Sequence, residues 1–331
     1  MKVYIADKFE KAGIEGLKQL GCEVVSEPDV GADKLAEGLA RIKPGVLVVR
    51  STKVPKASVE AAAASGVKLI VRAGAGVDNI DVPAATAAGI RVANCAGMNA
   101  IAVAELTMGL LLACDRRIPD QTIDARAGTW NKKEYGSKAK GLAGSVLGVV
   151  GAGAIGRAVV KRAIAFDMRV IVWSRSITRE HAKDLGAEWG GVDTPALHEL
   201  ASKSDAVTLH LPLAPDTKGL IGAEFFARMK PGAYIINTSR GGVINEAAML
   251  EAIKTKGIRA GLDVYETQPG TPTTPAGEWN SQTARFGPGV YCTHHIGAST
   301  DQSQNAIAHE TVRLVSVWKN TGKAENCVNP A

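Results

Sequence analysis

Val146-Leu147-Gly148-Val149-Val150-Gly151-Ala152-Gly153-Ala154-Ile155-Gly156 is the stretch on which the reading of this chain turns. Its first five residues form a short apolar run of the kind found in a strand buried on both faces. Gly151, Gly153 and Gly156 follow as G-x-G-x-x-G, and a helical pattern continues over 157–166. Strand, glycine loop and helix in that order predict a dinucleotide site. The first glycine makes the turn, the second lets the backbone approach a pyrophosphate, and the third lets helix and strand pack closely. The helix start at Ala154 and Ile155 offers free N–H groups and a positive dipole end to the phosphates. A purely structural glycine turn is the competing reading, and the correct strand and helix on either flank count against it.

The choice of dinucleotide is read about 20 residues further on, where an NAD site usually presents an acid to the ribose 2′-hydroxyl. Here the next strand ends Val172-Trp173-Ser174-Arg175-Ser176. Ser174 stands where the acid would be, and Arg175 and Ser176 could hold a 2′-phosphate. Nothing repels that phosphate, which favours NADP slightly over NAD. If Arg175 stacks on adenine or lies in solvent, NAD binds as well.

Outward from the loop, short β-branched runs alternate with helical stretches in both directions. On the N-terminal side 3–6, 23–26, 46–50, 69–73 and 91–94 read as strands, with helices at 11–20 and 57–65. After the loop, 169–173, 206–210, 233–237, 258–262 and 290–294 read as strands, with helices at 181–185, 222–229 and 246–254. The stretch 100–115 is apolar nearly all round, as in a helix buried in a core or at a subunit interface. Residues 126–145 look irregular, and 266–289 form a long Pro/Gly/Thr loop. A last helix, 300–320, is expected to return to the first half. Such alternation implies two α/β halves with parallel sheets covered on both faces.

Composition narrows the function classes. The chain has 331 residues, suiting about two domains of ~150 residues. Apolar residues make up 46% and charged ones 22%, which excludes wholesale disorder. No run approaches the ~18 apolar residues of a membrane span, and the start, Met1-Lys2-Val3-Tyr4-Ile5, reads as a strand and not a signal peptide. A cytoplasmic protein that does not bind membranes is expected. The 39 basic residues against 33 acidic give a formal charge of +6, spread as short pairs such as Arg116-Arg117 and Lys132-Lys133. That argues against nucleic acid and for small anionic ligands. Five cysteines at unrelated spacings read as reduced core thiols, with no metal ligand set.

Four further motifs carry a family resemblance. They are Arg72-Ala73-Gly74-Ala75-Gly76-Val77-Asp78-Asn79-Ile80-Asp81, Asn237-Thr238-Ser239-Arg240-Gly241-Gly242-Val243-Ile244-Asn245-Glu246, Gly261-Leu262-Asp263-Val264-Tyr265 and His294-His295-Ile296-Gly297-Ala298-Ser299-Thr300. Together with the glycine loop, they make the whole chain resemble the D-isomer-specific 2-hydroxyacid dehydrogenases. Within that family, Val49-Arg50-Ser51-Thr52-Lys53-Val54 and the closing Asn326-Cys327-Val328-Asn329 bring it nearest to the D-3-phosphoglycerate dehydrogenases. It stops short of the C-terminal regulatory domains of longer members, so feedback through such domains is not expected.

The resemblance implies two α/β domains, Rossmann-like and flavodoxin-like. A substrate domain would comprise 1–98 and 293–331 and an NAD(P)-binding domain 99–292, with the active site in the cleft between them. It also implies a homodimer, a small anionic 2-hydroxy or 2-oxo acid as substrate, and hydride transfer to or from NAD(P). His295 would be the acid/base, suited by an imidazole's ordinary pKa of ~6.5, while His294 is structural. Arg240 would bind the substrate carboxylate and Asp263 the nicotinamide carboxamide. Further coenzyme contacts are implied at His210, Pro212, Thr217, Thr238, Ser239, Arg240, His295 and Gly297. Arg50, Ser51, Arg72, Gly74 and Ala75 match substrate contacts. Lys132 lies where relatives carry a basic residue that in some cases reaches the partner subunit.

One position departs from the family pattern. The residue before Pro269 is Gln268, where relatives usually pair a glutamate with the histidine. Gln268 can fix the tautomer of His295 but cannot stabilise imidazolium by charge. Reduction, which needs protonated His295, is expected to fade at a lower pH than in Glu-paired relatives. Two alternatives remain: an NADPH-dependent glyoxylate or hydroxypyruvate reductase, and a non-catalytic NAD(H)-sensing scaffold of the corepressor kind.

Overall fold

Two parallel sheets organise the chain. The computed structural model describes residues 1–28, 30–269 and 273–329. One sheet contains β1 (Lys2–Ile5), β2 (Glu23–Ser26), β3 (Val46–Val49), β4 (Leu69–Arg72) and β5 (Arg91–Asn94), in the order β2-β1-β3-β4-β5. The other contains β6 (Val146–Val150), β7 (Arg169–Trp173), β8 (Glu188–Trp189), β9 (Ala206–Leu209), β10 (Tyr234–Asn237), β11 (Arg259–Leu262) and β12 (Val290–Cys292). Their order is β12-β11-β10-β9-β6-β7-β8. All named strand pairs are parallel. The chain splits into two compact units, Met1–Asn99 with the segment from Ser299 onward, and Ala100–Ala298.

Alternation along each strand builds two cores per unit, one on each face of the sheet. In the first unit Val3, Ile5, Val46, Val48 and Val71 pack with Leu17, Ile307 and Leu314 from the helices Lys11–Gln19 and Asp301–Thr321. Tyr4, Leu47, Val49 and Ile70 pack on the opposite face with Leu35 and Leu39 of the helix Ala32–Ile42. In the second unit Leu147, Val149, Val170 and Val172 meet Leu111 of the helix Ala100–Arg116 and Val159 of Ala154–Ala165. Val150, Ile171, Val207 and Ile235 meet Leu197, Leu200 and Phe225. Coverage on both faces is why the central strands β3, β9 and β10 are buried at every residue.

Several elements differ from the sequence expectation. The helices Ala32–Ile42, Val82–Ala87 and Thr194–Lys203, and the two-residue β8, were not anticipated. The segment read as irregular from 126 begins at the end of one helix, Ile118–Arg126, and contains a second, Lys132–Gly136. Residues 293–298, assigned from the sequence to the first unit, belong to the second. The physical reason lies in hydrogen bonds to Asp263, described below. Residues 270–272 of the expected 266–289 loop lie outside the described residues. Three cysteines are buried, but Cys292 is exposed and Cys327 half-buried, so the expectation of five core thiols is corrected to three. Among the described residues no helix is long and apolar enough to cross a membrane. No group of His, Cys, Asp or Glu among them could hold a metal ion.

Candidate active site

Because the strands of the second unit are parallel, their C-terminal ends share one edge. Gly151 follows β6, Ser174 follows β7, His210 follows β9, Thr238 follows β10 and Asp263 follows β11. Ligands of open α/β sheets bind at this edge, at the point where strand order reverses. Here that point is β6, paired to β7 on one side and to β9 on the other.

The glycine loop fits the group its sequence predicts. Gly151 has φ +107°, and a Cβ there would strike the carbonyl of His210. A Cβ on Gly156 would overlap the Gly151 carbonyl, so the third glycine lets the helix sit down on the loop. Gly153 differs: nothing lies within 4 Å of its Cβ position. The space is open where the helix Ala154–Ala165 begins, and its first N–H groups lack intrahelical acceptors. This cradle, narrow behind and open in front, suits a pyrophosphate. The donor set is backbone, so it accepts either nicotinamide dinucleotide.

Around the cradle, His210 places its Nε2 3.0 Å from the Thr208 hydroxyl, and burial pushes its imidazole down to about 3, leaving it neutral. Thr217 uses its hydroxyl within the turn, donating to the Pro212 carbonyl at 2.7 Å and accepting from Ala214 N at 2.8 Å. Thr238 shares a 2.9 Å hydrogen bond with Thr107. Ser239 folds onto Asn237, donating to Oδ1 from Oγ at 2.8 Å. Arg175 makes an ion pair with Asp216.

The histidine is held from two sides. Asp263 is buried, and its carboxylate accepts from Thr293 Oγ1 at 2.7 Å, Ile296 N at 2.8 Å and Gly297 N at 2.9 Å. These bonds straddle His295, whose backbone is left-handed at φ +54°. Burial pushes the Tyr265 phenol above its ordinary range, so it stays protonated and donates to the Thr293 carbonyl at 2.7 Å. Gln268 meets the imidazole itself, with Nε2 donating to Nδ1 of His295 at 2.8 Å and Oε1 accepting from Tyr265 N at 3.4 Å. A ring accepting at Nδ1 carries its neutral-state proton on Nε2. Rotation of the Gln268 amide would present oxygen to Nδ1 and select the other tautomer. Gln268, His295, Trp279 and Pro275 line a cavity of about 450 Å³.

Arg240 follows β10, and its Nη1 donates to the Ser239 carbonyl at 2.8 Å. The next residue, Gly241, lies against the backbone of Tyr265 with no room for a Cβ. The absence of a side chain there brings the Arg240 turn against the segment that carries Gln268. Lys132 lies elsewhere, opening the helix Lys132–Gly136 beside Trp130, which is 88% exposed. It lines a separate depression of about 910 Å³ to which Arg240, Gln268 and His295 contribute nothing.

The remaining candidates belong to the first unit. Arg50 and Ser51 follow β3, and Arg72 ends β4 opposite Val49. Asp7, after β1, accepts from Arg50 N at 2.7 Å, Ser51 N at 3.2 Å, Thr52 N at 3.1 Å and Ser51 Oγ at 2.9 Å. The Arg50 guanidinium lies 3.5 Å from Glu10. Gly74, at φ +154°, leaves room for the Arg72 guanidinium to fold back over it, and Ala75 offers its carbonyl to Asn94 Nδ2 at 2.5 Å. Sequence reasoning missed Asp7, Thr293 and Asp216. An acid just past the first strand of a parallel sheet was a usable signal for Asp7.

Known proteins share the fold and a substantial part of the sequence. A family profile described as "D-isomer specific 2-hydroxyacid dehydrogenase, NAD binding domain" matches residues 108–297. The chain is 41% identical to a D-3-phosphoglycerate dehydrogenase of Methanocaldococcus jannaschii, over 99% of this chain and 59% of that protein. It is 38% identical to a hydroxypyruvate reductase of Thermotoga maritima, over 95% of this chain and 97% of that one. A solved structure of NAD+-bound 3-phosphoglycerate dehydrogenase from Entamoeba histolytica superposes with a TM-score of 0.79 at 26% identity, covering 100% of this chain and 99% of that one. The chain therefore belongs to the D-isomer-specific 2-hydroxyacid dehydrogenase family. It spans about three-fifths of the length of the M. jannaschii relative.

Proposed function

We propose that this chain is a nicotinamide-dependent D-2-hydroxyacid dehydrogenase whose substrate pair is D-3-phosphoglycerate and 3-phosphohydroxypyruvate, acting as a cytoplasmic homodimer in serine biosynthesis. The observation that carries the reading is the held imidazole: His295 paired at Nδ1 with Gln268, on a loop clamped by buried Asp263. Similarity to the M. jannaschii enzyme over nearly the whole chain supports the phosphorylated substrate.

A bound nicotinamide supplies the hydride acceptor in oxidation and the donor in reduction. His295 takes the hydroxyl proton at Nε2 in oxidation and returns it there in reduction. Its base form needs Nδ1 protonated, so Gln268 turns its oxygen to that nitrogen when oxidation begins. Arg240 holds the substrate carboxylate in its planar fork. Arg50, Ser51 and Arg72 meet the phosphate end, and Lys132 adds its charge from the partner subunit. The coenzyme is NAD or NADP; the slight preference for NADP read from Ser174, Arg175 and Ser176 requires Arg175 to be available to a 2′-phosphate.

A second reading is reduction of unphosphorylated hydroxypyruvate or glyoxylate. The T. maritima relative supports it, as does the Glu10 carboxylate beside Arg50, which offsets part of the charge a phosphate would use. Absorbance at 340 nm with 3-phosphohydroxypyruvate, hydroxypyruvate and glyoxylate, each with NADH and NADPH, separates the two. Preference for the phosphorylated acid is the expected result; preference for the others makes Arg50 and Arg72 incidental, and no turnover on any of them removes the dehydrogenase reading.

A further inference from the structure

The Arg175–Asp216 pair has no part in the chemistry above, yet it sits where coenzymes are told apart. Val150 of β6 is in register with Trp173 of β7 on one side and Leu209 of β9 on the other. Arg175 leaves the sheet two residues after Trp173, and Asp216 lies in the turn that follows β9. The two residues come from opposite sides of β6 and pair, so together they span the strand that runs into the glycine loop. The turn that presents Asp216 is stiffened by Thr217, whose hydroxyl bridges the Pro212 carbonyl and Ala214 N.

We infer that Asp216 sets coenzyme choice: by holding Arg175 it withholds the guanidinium from a 2′-phosphate, and the site selects NAD over NADP. The inference rests on the dinucleotide reading given above. Two neighbouring arginines are engaged as well. Arg179 stacks 4.0 Å over the Trp189 ring, and Arg157 donates from Nε to the Ala152 carbonyl at 2.9 Å. A 2′-phosphate would bring roughly two negative charges to a spot where Arg175 and Asp216 already cancel. A free 2′-hydroxyl brings none and can donate to a carboxylate. The acid that Ser174 fails to provide at the end of β7 is thus delivered from the turn after β9. Sequence alone hides this, because the partners are 41 positions apart.

Both side chains are 55% exposed, so the pair is solvent-screened and its influence moderate. The test is calorimetric binding of ADP-ribose and 2′-phospho-ADP-ribose to the wild type, Asp216→Asn, Arg175→Ala and the double variant, with no turnover required. The wild type is expected to favour ADP-ribose. Asp216→Asn should tighten 2′-phospho-ADP-ribose about tenfold, the scale of one partly screened charge contact, and weaken ADP-ribose by a few fold through the poorer acceptor for its 2′-hydroxyl. Arg175→Ala should cancel that gain in the double variant. A wild-type preference for the phosphorylated compound, an unchanged ratio in Asp216→Asn, or a gain that survives in the double variant overturns the inference while leaving dinucleotide binding intact. Failure of the folded wild type to bind either compound overturns the dinucleotide reading and the inference together.

Discussion

In each sheet the first strand in chain order ends at the C-terminal edge, and the two units do opposite things there. In the first, β1 hands over to Asp7, and that carboxylate collects the N–H groups of Arg50, Ser51 and Thr52. In the second, β6 hands over to Gly151, and the space before Gly153 stays open at a helix start. The same architecture therefore meets its need for an anion in two ways. One unit carries a built-in carboxylate and becomes a rigid scaffold for Arg50 and Ser51. The other leaves the position for an anion that arrives with a ligand.

The largest expected effect concerns chemistry alone. His295→Ala should lower kcat by about 10²- to 10⁴-fold, the usual worth of a general acid/base, with ADP-ribose affinity unchanged by calorimetry. Turnover within a few fold of wild type would move the acid/base elsewhere. Next is a crossed pair of substitutions that challenges the contrast between the units directly. Gly153→Val fills the open cradle and should weaken ADP-ribose about a hundredfold or more through lost pyrophosphate approach, while the melting temperature holds. Asp7→Ala should do the reverse. It strands three backbone donors, costs about 2–3 kcal/mol and lowers the melting temperature by several degrees, with ADP-ribose binding retained. Loss of dinucleotide affinity in Asp7→Ala would show that the two edges are not independent. The smallest effect sharpens the site itself. Gln268→Glu places a negative charge beside His295, favours imidazolium, and should carry reduction about one pH unit higher. A reduction profile unmoved by that substitution would mean that Gln268 sets geometry only.

The parts of the fold that the sequence disclosed are those with a strong local signature. The β-branched runs of β3, β6 and β7 and the three glycines after Val150 needed no partner to be recognised. The helix Thr194–Lys203 also had a signal, since Asp193 caps it by accepting from Ala196 N and Pro195 sits in its first turn, but its apolar spacing is short. β8, with two residues, has no period to read. The pairing of Gln268 with His295 came through the family motif. The clamp of Asp263 on Thr293, Ile296 and Gly297 did not, because it joins residues at least 30 positions apart through tertiary packing. For the same reason, the boundary expected at 292/293 falls at 298/299.

That clamp also bears on which parts of the chain can change. Since the carboxylate at the end of β11 grips both flanks of His295, the imidazole's position is referenced to the sheet. Between β11 and β12, Trp279 packs against Tyr265 and His294 and lines the cavity beside the imidazole, so exchange of that side chain is expected to reshape the cavity while the β11 carboxylate keeps the histidine in place.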